Sequence, residues 1–106
     1  MNREERFARN EVLFREVNER IDQVKAEQDE RTEFLCECGR EECAEPIALT
    51  SAEYDALRTD PTTFAVIPGH EIDEIEDVVH TSERFSIVRK HGDESAVARK
   101  TDPRSR

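Results

Sequence analysis

The three cysteines of the chain all stand within the ten residues FLCECGREEC, at positions 34–43. An odd number of thiols cannot form a closed set of disulfides, so at least one must be free or engaged otherwise. In an extended segment, side chains two residues apart point to the same side, so Cys36 and Cys38 can face one ion. Gly39 permits the positive φ of a tight turn that returns Cys43 to the same place. This spacing favours a Zn²⁺ site with one tetrahedral position left to fill.

Three histidines could supply the fourth ligand. His70 follows Pro68 and Gly69 in the run FAVIPGHE, and a Pro-Gly bend fixes the neighbouring imidazole at low entropic cost. His80 is more simply read as a strand-end residue that faces solvent, and His91 begins a segment that would hold a ligand poorly. The sequence therefore predicts a structural zinc ion held by Cys36, Cys38, Cys43 and His70.

Other uses of the thiols stay open at this point. Reduced cysteines are often buried in a core, but the charged neighbours Glu37, Arg40, Glu41 and Glu42 make FLCECGREEC a poor core segment and indicate that it faces solvent. Neighbouring thiols could form a thiol–disulfide switch. They could also form a zinc-thiolate redox sensor, in which oxidation of one thiolate releases the metal.

A zinc hydrolase is a further alternative, with Glu71 beside His70 as general base. Three thiolates deliver so much negative charge to the ion that its Lewis acidity is weakened, and a Cys3His set is typical of structural sites. The chain has no Ser-His-Asp set, phosphate-binding glycine loop or dinucleotide fingerprint. We therefore predict that the protein is not an enzyme.

Residues 2–30 contain no Gly or Pro and are rich in Glu and Arg, which predicts one long helix. Its apolar positions recur every 3.5 to 3.6 residues, interrupted only by Asn10. The pairs Glu11–Arg15 and Glu16–Arg20 are expected on the outer face. The apolar stripe, which Leu13 widens, consists of Phe7, Leu13, Phe14, Val17, Ile21 and Val24.

Two interpretations of this stripe are open: it packs on the protein's own sheet, or it docks on a protein partner. A helix of about 29 residues would be about 43 Å long, which exceeds what a small zinc-stabilised core can cover. We therefore expect part of the stripe to contact another chain, and a homodimer is the simplest arrangement.

The segment from Thr32 to Lys90 alternates short β-like runs with turn signals. Thr50 and Glu53 form a capping-box pattern that predicts a short helix starting at residue 51 or 52 and ending before Pro61. The predicted class is α+β, with a long N-terminal helix and a small antiparallel sheet. The predicted strands are EFLC (33–36), PIALT (46–50), FAVI (64–67), EDVVH (76–80) and RFSIVRK (84–90).

Three regions follow from this pattern: the helix at 1–31, a zinc-binding α+β domain at 32–90, and a basic segment at 91–106. The last region has few apolar residues and is expected to be a disordered tail.

Charge and hydropathy restrict the classes of function. The formal net charge is −10, and residues 32–88 carry 3 basic against 14 acidic groups, which argues against binding a phosphate backbone. No apolar run approaches the roughly 20 residues that cross a bilayer, and the N-terminus lacks the apolar region of a signal peptide. We therefore expect no nucleic acid partner, no membrane and a cytoplasmic location. With 35% hydrophobic residues, the core is thin enough to need a structural metal.

Five blocks in order, RNEVLFREVNERI, FLCECGREEC, IALTSAEYDALR, FAVIPGHE and VVHTSERFSIVRK, resemble a family of small actinobacterial proteins. The resemblance covers the chain to about Lys90 and implies a pattern of CxCG-x3-C plus PGH. It maps onto Cys36, Cys38, Gly39, Cys43 and His70, and it implies no activity. The sequence as a whole predicts a non-enzymatic zinc-binding module for protein interaction or regulation, with the redox sensor as the alternative.

Overall fold

The computed structural model describes residues 3–24, 31–40, 43, 45–72 and 75–105. Strands β1 and β2 form an antiparallel pair, and β3, β5 and β4 form a second antiparallel sheet in that order. The predicted α+β class is confirmed, and every predicted strand lies within two residues of an observed one. The elements are α1 (Arg3–Val24), β1 (Arg31–Leu35), β2 (Pro46–Thr50), α2 (Ser51–Leu57), β3 (Thr63–Val66), β4 (Glu76–Thr81), β5 (Ser86–Lys90), α3 (Asp93–Lys100) and a 3-10 turn (Pro103–Ser105).

Local signals in the sequence fix α2 and the β4–β5 hairpin. Thr50 accepts a hydrogen bond from the Glu53 backbone N–H, and the Glu53 carboxylate accepts one from Thr50 N–H, which completes the predicted capping box. The hairpin closes where Ser82 N–H donates to Phe85 O at 2.8 Å. The predicted capping box and short helix are confirmed.

The core has two parts, one between the two sheets and one around the cysteines. In the first, Phe34 of β1 stacks on Tyr54 of α2 with ring centroids 4.7 Å apart, and Leu49 and Phe85 close the cluster. The second places the three cysteines against the apolar side chains Phe64, Val66, Val88 and Ala98. FLCECGREEC was expected to be a poor core segment, and that expectation is wrong for the described residues that reach this cluster.

Helix α1 buries a different face from the one that its apolar pattern predicts. Glu11, Arg15, Asn18 and Glu19 are buried, whereas Leu13 is 58% and Val24 84% exposed. The buried face lies about a third of a turn from the centre of the apolar stripe. Half-buried positions of that stripe flank the core, and the side chain of Phe7 lies outside the described part of the structure.

Buried polar contacts explain why this face can pack. Lys90 of β5 contacts the carboxyl groups of both Glu11 and Glu76, and all three side chains are buried. Arg15 donates to Ala98 O at 3.1 Å and lies 3.9 Å from the Phe64 ring centroid. The pair Glu11–Arg15 was predicted on the outer face, and that prediction is wrong because the partners of both residues come from β5 and α3, which no helical spacing reveals.

The described part of α1 lies within the predicted helix. Its 22 residues correspond to about 33 Å, and the longest dimension of the molecule is 39 Å. The described part of the helix is therefore shorter than the longest dimension of the molecule. The predicted continuation through residues 25–30 lies outside the described residues.

Residues 93–100 form helix α3 instead of part of a disordered tail. Ala98 packs in the cysteine cluster, Asp102 forms a salt bridge with Arg58, and Arg104 donates to Glu19 at 2.8 Å. The sequence contains few large apolar residues here, and charge pairing holds the segment in place. Within the described residues, no helix is long and apolar enough to cross a bilayer.

Candidate metal centre

The loop that follows β1 places two cysteines on one side by strand-like alternation. Cys36 N–H donates to Glu45 O at 2.9 Å, and Glu37 N–H donates to Ala65 O at 2.8 Å, so the loop continues beside β3. Successive side chains of such a segment alternate, which turns Cys36 and Cys38 one way and Glu37 the other. Gly39 then has a φ of 79°, as the sequence predicts for this turn, and Cys43 N–H donates to Arg40 O.

A tight turn after β3 brings His70 to the cysteines. His70 N–H donates to Ile67 O at 2.9 Å, and Gly69 has a φ of 96°, a conformation that other residues rarely adopt. The Glu71 carboxylate accepts a hydrogen bond from Gly69 N–H at 3.0 Å and thereby takes part in the turn. The predicted Pro-Gly bend therefore presents the imidazole.

The four predicted ligands meet. Their donor atoms lie within 4.8 Å of one another, and His70 Nδ1 is 3.7 Å from Cys36 Sγ and 3.6 Å from Cys43 Sγ. Around a tetrahedral Zn²⁺ with ordinary bond lengths, sulfur and nitrogen ligands are separated by about 3.6 Å. The donor set and its spacing therefore fit zinc.

The three thiols are buried, and they perturb one another. A hydrogen bond from Cys36, helped by the Arg40 N–H and His70, lowers the pKa of Cys38 to about 5 despite burial. The same bond, with burial, raises the pKa of Cys36 far above its usual value, and burial raises the pKa of Cys43. A bound cation would offset the cost of ionising these buried thiols and hold all three sulfurs as thiolates.

Backbone N–H groups support the sulfurs from behind. Ile67 N–H donates to Cys36 Sγ at 3.2 Å, and further backbone N–H groups lower the pKa of Cys38, from Arg40, and of Cys43, from Glu45. Such bonds stabilise thiolates and orient them, as groups around a metal's ligands commonly do.

The other candidate histidines lie elsewhere. His80 is exposed on β4, with its ring 5.9 Å from that of Phe85, and His91 is exposed after β5. Neither belongs to the group of possible ligands found among the described residues.

Glu37 is not the solvent-facing residue that its charge suggests. It is 0% exposed. Its carboxylate accepts hydrogen bonds from Ala65 N–H at 3.0 Å, Tyr54 Oη–H at 2.8 Å and Asn18 Nδ2–H at 2.9 Å. It therefore joins residues 35–39, which we call the metal loop, to β3, α2 and α1. The sequence signal that could have indicated the orientation of Glu37 is the alternation of side chains along CxC, because it places the middle residue opposite the thiols. Glu41 and Glu42 lie outside the described residues.

No protein-family model, curated protein or solved structure matches the chain. The resemblance to the actinobacterial family therefore stays a prediction.

Proposed function

We propose that the protein binds one Zn²⁺ through Cys36, Cys38, Cys43 and His70, and that the ion has a structural role. The observation that supports this most is the convergence of three buried sulfurs and one imidazole nitrogen within 4.8 Å. Four protein donors complete a tetrahedral shell and leave no position for water or substrate, which is the pattern of structural sites. When bound, the ion would tie the loop after β1 to the turn after β3.

The residues beside the site support a non-catalytic role. A general base for a zinc-bound water would need a carboxylate directed at an open position. The Glu71 carboxylate instead accepts a hydrogen bond from Gly69 N–H within its own turn. The alternative of a redox sensor depended on a solvent-facing loop, and the cysteines are only 0%, 1% and 4% exposed, so we do not extend the proposal to it.

Metal analysis of the purified protein tests the zinc site. We expect one zinc per chain, and in the Co²⁺-loaded protein we expect the strong visible bands of a tetrahedral thiolate site. His70→Ala should weaken zinc binding and change those bands, whereas His80→Ala removes an exposed imidazole and should change neither. A wild-type protein without zinc, or equal spectra for the two variants, would overturn the proposal.

We further propose that the protein acts as an interaction or regulatory module and forms a homodimer through the outer face of α1, in the cytoplasm where thiols stay reduced. Leu13 and Val24 support this, because both are exposed and eleven positions apart they fall on one line of the helix. A second copy could cover both symmetrically. Ile21 is a poor site for testing, since it packs against the core.

Analytical ultracentrifugation tests the dimer. We expect the wild-type protein to sediment as a dimer, Leu13→Glu as a monomer, and Gln23→Glu, on another exposed face of α1, as the wild type. A wild-type monomer at every concentration would contradict this part of the proposal and leave the zinc site unaffected.

A further inference from the structure

Helix α1 holds the backbone of the metal loop at two points that bracket the cysteine pair. Asn18 Nδ2–H donates to Leu35 O at 2.8 Å, directly before Cys36. Asn10 Nδ2–H donates to Gly39 O at 2.9 Å, directly after Cys38. Both asparagines belong to a helix that contributes no ligand to the metal.

Asn18 uses its whole side-chain amide for this contact. Its Oδ1 accepts from Leu35 N–H at 2.8 Å, and its Nδ2 donates to Leu35 O and to the Glu37 carboxylate. The amide thus pairs with Leu35 as a neighbouring strand would, and it also fixes the residue between the two thiols. Asn18 is 0% exposed, so water cannot replace these bonds.

The rest of the buried face of α1 contacts other parts of the protein. Glu11 pairs with Lys90, Arg15 donates to Pro61 O and Ala98 O, and Glu19 pairs with Arg58. The contacts with residues 35–39 are therefore a distinct subset, and they can be altered separately from the general attachment of the helix.

We propose that Asn10 and Asn18 are positioning residues of the metal centre, which hold residues 35–39 in the conformation that presents Cys36 and Cys38 to zinc. This inference rests on the proposed zinc function. Groups that orient metal ligands typically change metal affinity by about 10- to 100-fold when removed. By linkage, zinc binding must in turn strengthen the attachment of α1 to the loop.

Zinc affinity, measured by competition with a chromophoric chelator, tests the proposal on the full chain. We expect Asn18→Ala to weaken zinc binding about tenfold or more, and Asn10→Ala, which loses one bond, to weaken it by about two- to tenfold. Asn10→Ala also raises intrinsic helix propensity, so a loss of affinity in this variant cannot come from a weaker helix.

Two control variants separate positioning from stability. Gln23→Ala gives a smaller gain in helix propensity, of the same sign, at an exposed position of α1. Thr50→Ala removes the cap of α2 and lowers stability away from the loop. Both should bind zinc as tightly as the wild type after correction for the measured free energy of unfolding.

Hydrogen exchange of the zinc-loaded proteins gives a second measurement. Amides of residues 35–39 should exchange faster in Asn10→Ala than in Gln23→Ala. If both asparagine variants match Gln23→Ala in affinity and exchange while zinc still binds through His70, the inference fails and the zinc function stands. If the wild-type protein takes up no zinc, the proposed function itself fails.

Discussion

At the scale of single residues, the metal centre depends on what each position of CxCG faces. The thiols of Cys36 and Cys38 face His70, and the Glu37 carboxylate faces the opposite way, toward donors from three elements. A buried carboxylate is tolerated only when it is fully hydrogen-bonded. Glu37 meets this condition, so it stabilises the loop in place of an apolar side chain.

Glu37→Gln should lower the free energy of unfolding of the zinc-loaded protein by about 1–3 kcal/mol. The amide NH2 cannot accept, so at least one donor among Ala65 N–H, Tyr54 Oη–H and Asn18 Nδ2–H loses its partner. Urea unfolding measures the change. Glu33→Gln, the same substitution at an exposed position of β1, is the matched control and should cost little. Equal effects of the two substitutions would contradict this role of Glu37.

The contribution of the buried Glu11 carboxyl to stability depends on pH. The pKa of Glu11 is raised to about 8. Burial is the largest cause, Lys90 lowers the pKa, and the nearby carboxyl groups of Glu76 and Glu37 raise it. The native state therefore holds this proton at pH values where the unfolded chain has lost it, so the contribution of Glu11 is fully present below its unfolded pKa and falls as pH rises toward 8.

Glu11→Gln removes this titration. The thermal midpoint of Glu11→Gln relative to that of the wild type should therefore rise between about pH 5 and pH 8 and then level off. Both proteins should be zinc-loaded, because the pH dependence of metal binding then cancels. A difference that is constant with pH would show that Glu11 titrates normally.

The sequence predicts the four metal ligands because their signals are local: CxC alternation, a glycine turn, and a Pro-Gly bend before His70. Asn10, Asn18 and Glu37 could not be assigned in the same way. Asn18 bonds to Leu35, 17 residues away, and Asn10 bonds to Gly39, 29 residues away. Glu37 bonds to Ala65, 28 residues away. The interruption of the apolar stripe by Asn10 was visible in the sequence, but its meaning requires the loop beside it.

At the scale of elements, strands and the capped helix α2 follow from patterns that a few neighbouring residues carry. Thr50 and Glu53 satisfy each other across three positions, so α2 begins where the sequence indicates. The buried face of α1 could not be predicted, because Glu11, Arg15 and Glu19 look like solvent-facing residues until Lys90, Pro61 and Arg58 are placed beside them. Charge pairing across the fold overrides the apolar period here.

Helix α3 and the residues after it should contribute to the thermal stability of the protein. Deleting residues 91–106 should lower the thermal midpoint by about 5 °C or more, because α1 loses the Ala98 and Arg104 contacts and Arg58 loses Asp102. Lys100→Ala, at an exposed position of α3, serves as the control. An unchanged midpoint in the deletion variant would restore the interpretation of this segment as a tail without structural contribution.

At the scale of the whole molecule, the proposed metal would tie the loop after β1 to the turn after β3. The cluster of Cys36, Cys38 and Cys43 with Phe64 and Val88 is small, and a bound cation would offset the mutual repulsion of its thiolates. A structural zinc can contribute roughly 10 kcal/mol of apparent folding free energy. That is comparable with the total net stability of about 5–15 kcal/mol expected for a domain.

Chelation of zinc should therefore remove most of the near-UV circular dichroism and the cooperative thermal transition of residues 33–90, and it should leave part of the helical far-UV signal of α1. Adding Zn²⁺ back should restore both, whereas Mg²⁺, which prefers oxygen ligands, should not. A thermal midpoint that chelation does not shift would show that the fold does not depend on the metal.

The contact between Arg104 and Glu19 joins residues 85 positions apart, which has a consequence for biosynthesis. At about 5–20 residues per second, the ribosome releases Arg104 roughly 4–17 s after Glu19. During that interval the inner side of α1 has no partner from α3. Because this side carries carboxylates, guanidinium groups and amides, water can solvate it, so this side of the nascent helix adds no exposed apolar surface of the kind that promotes aggregation on polysomes.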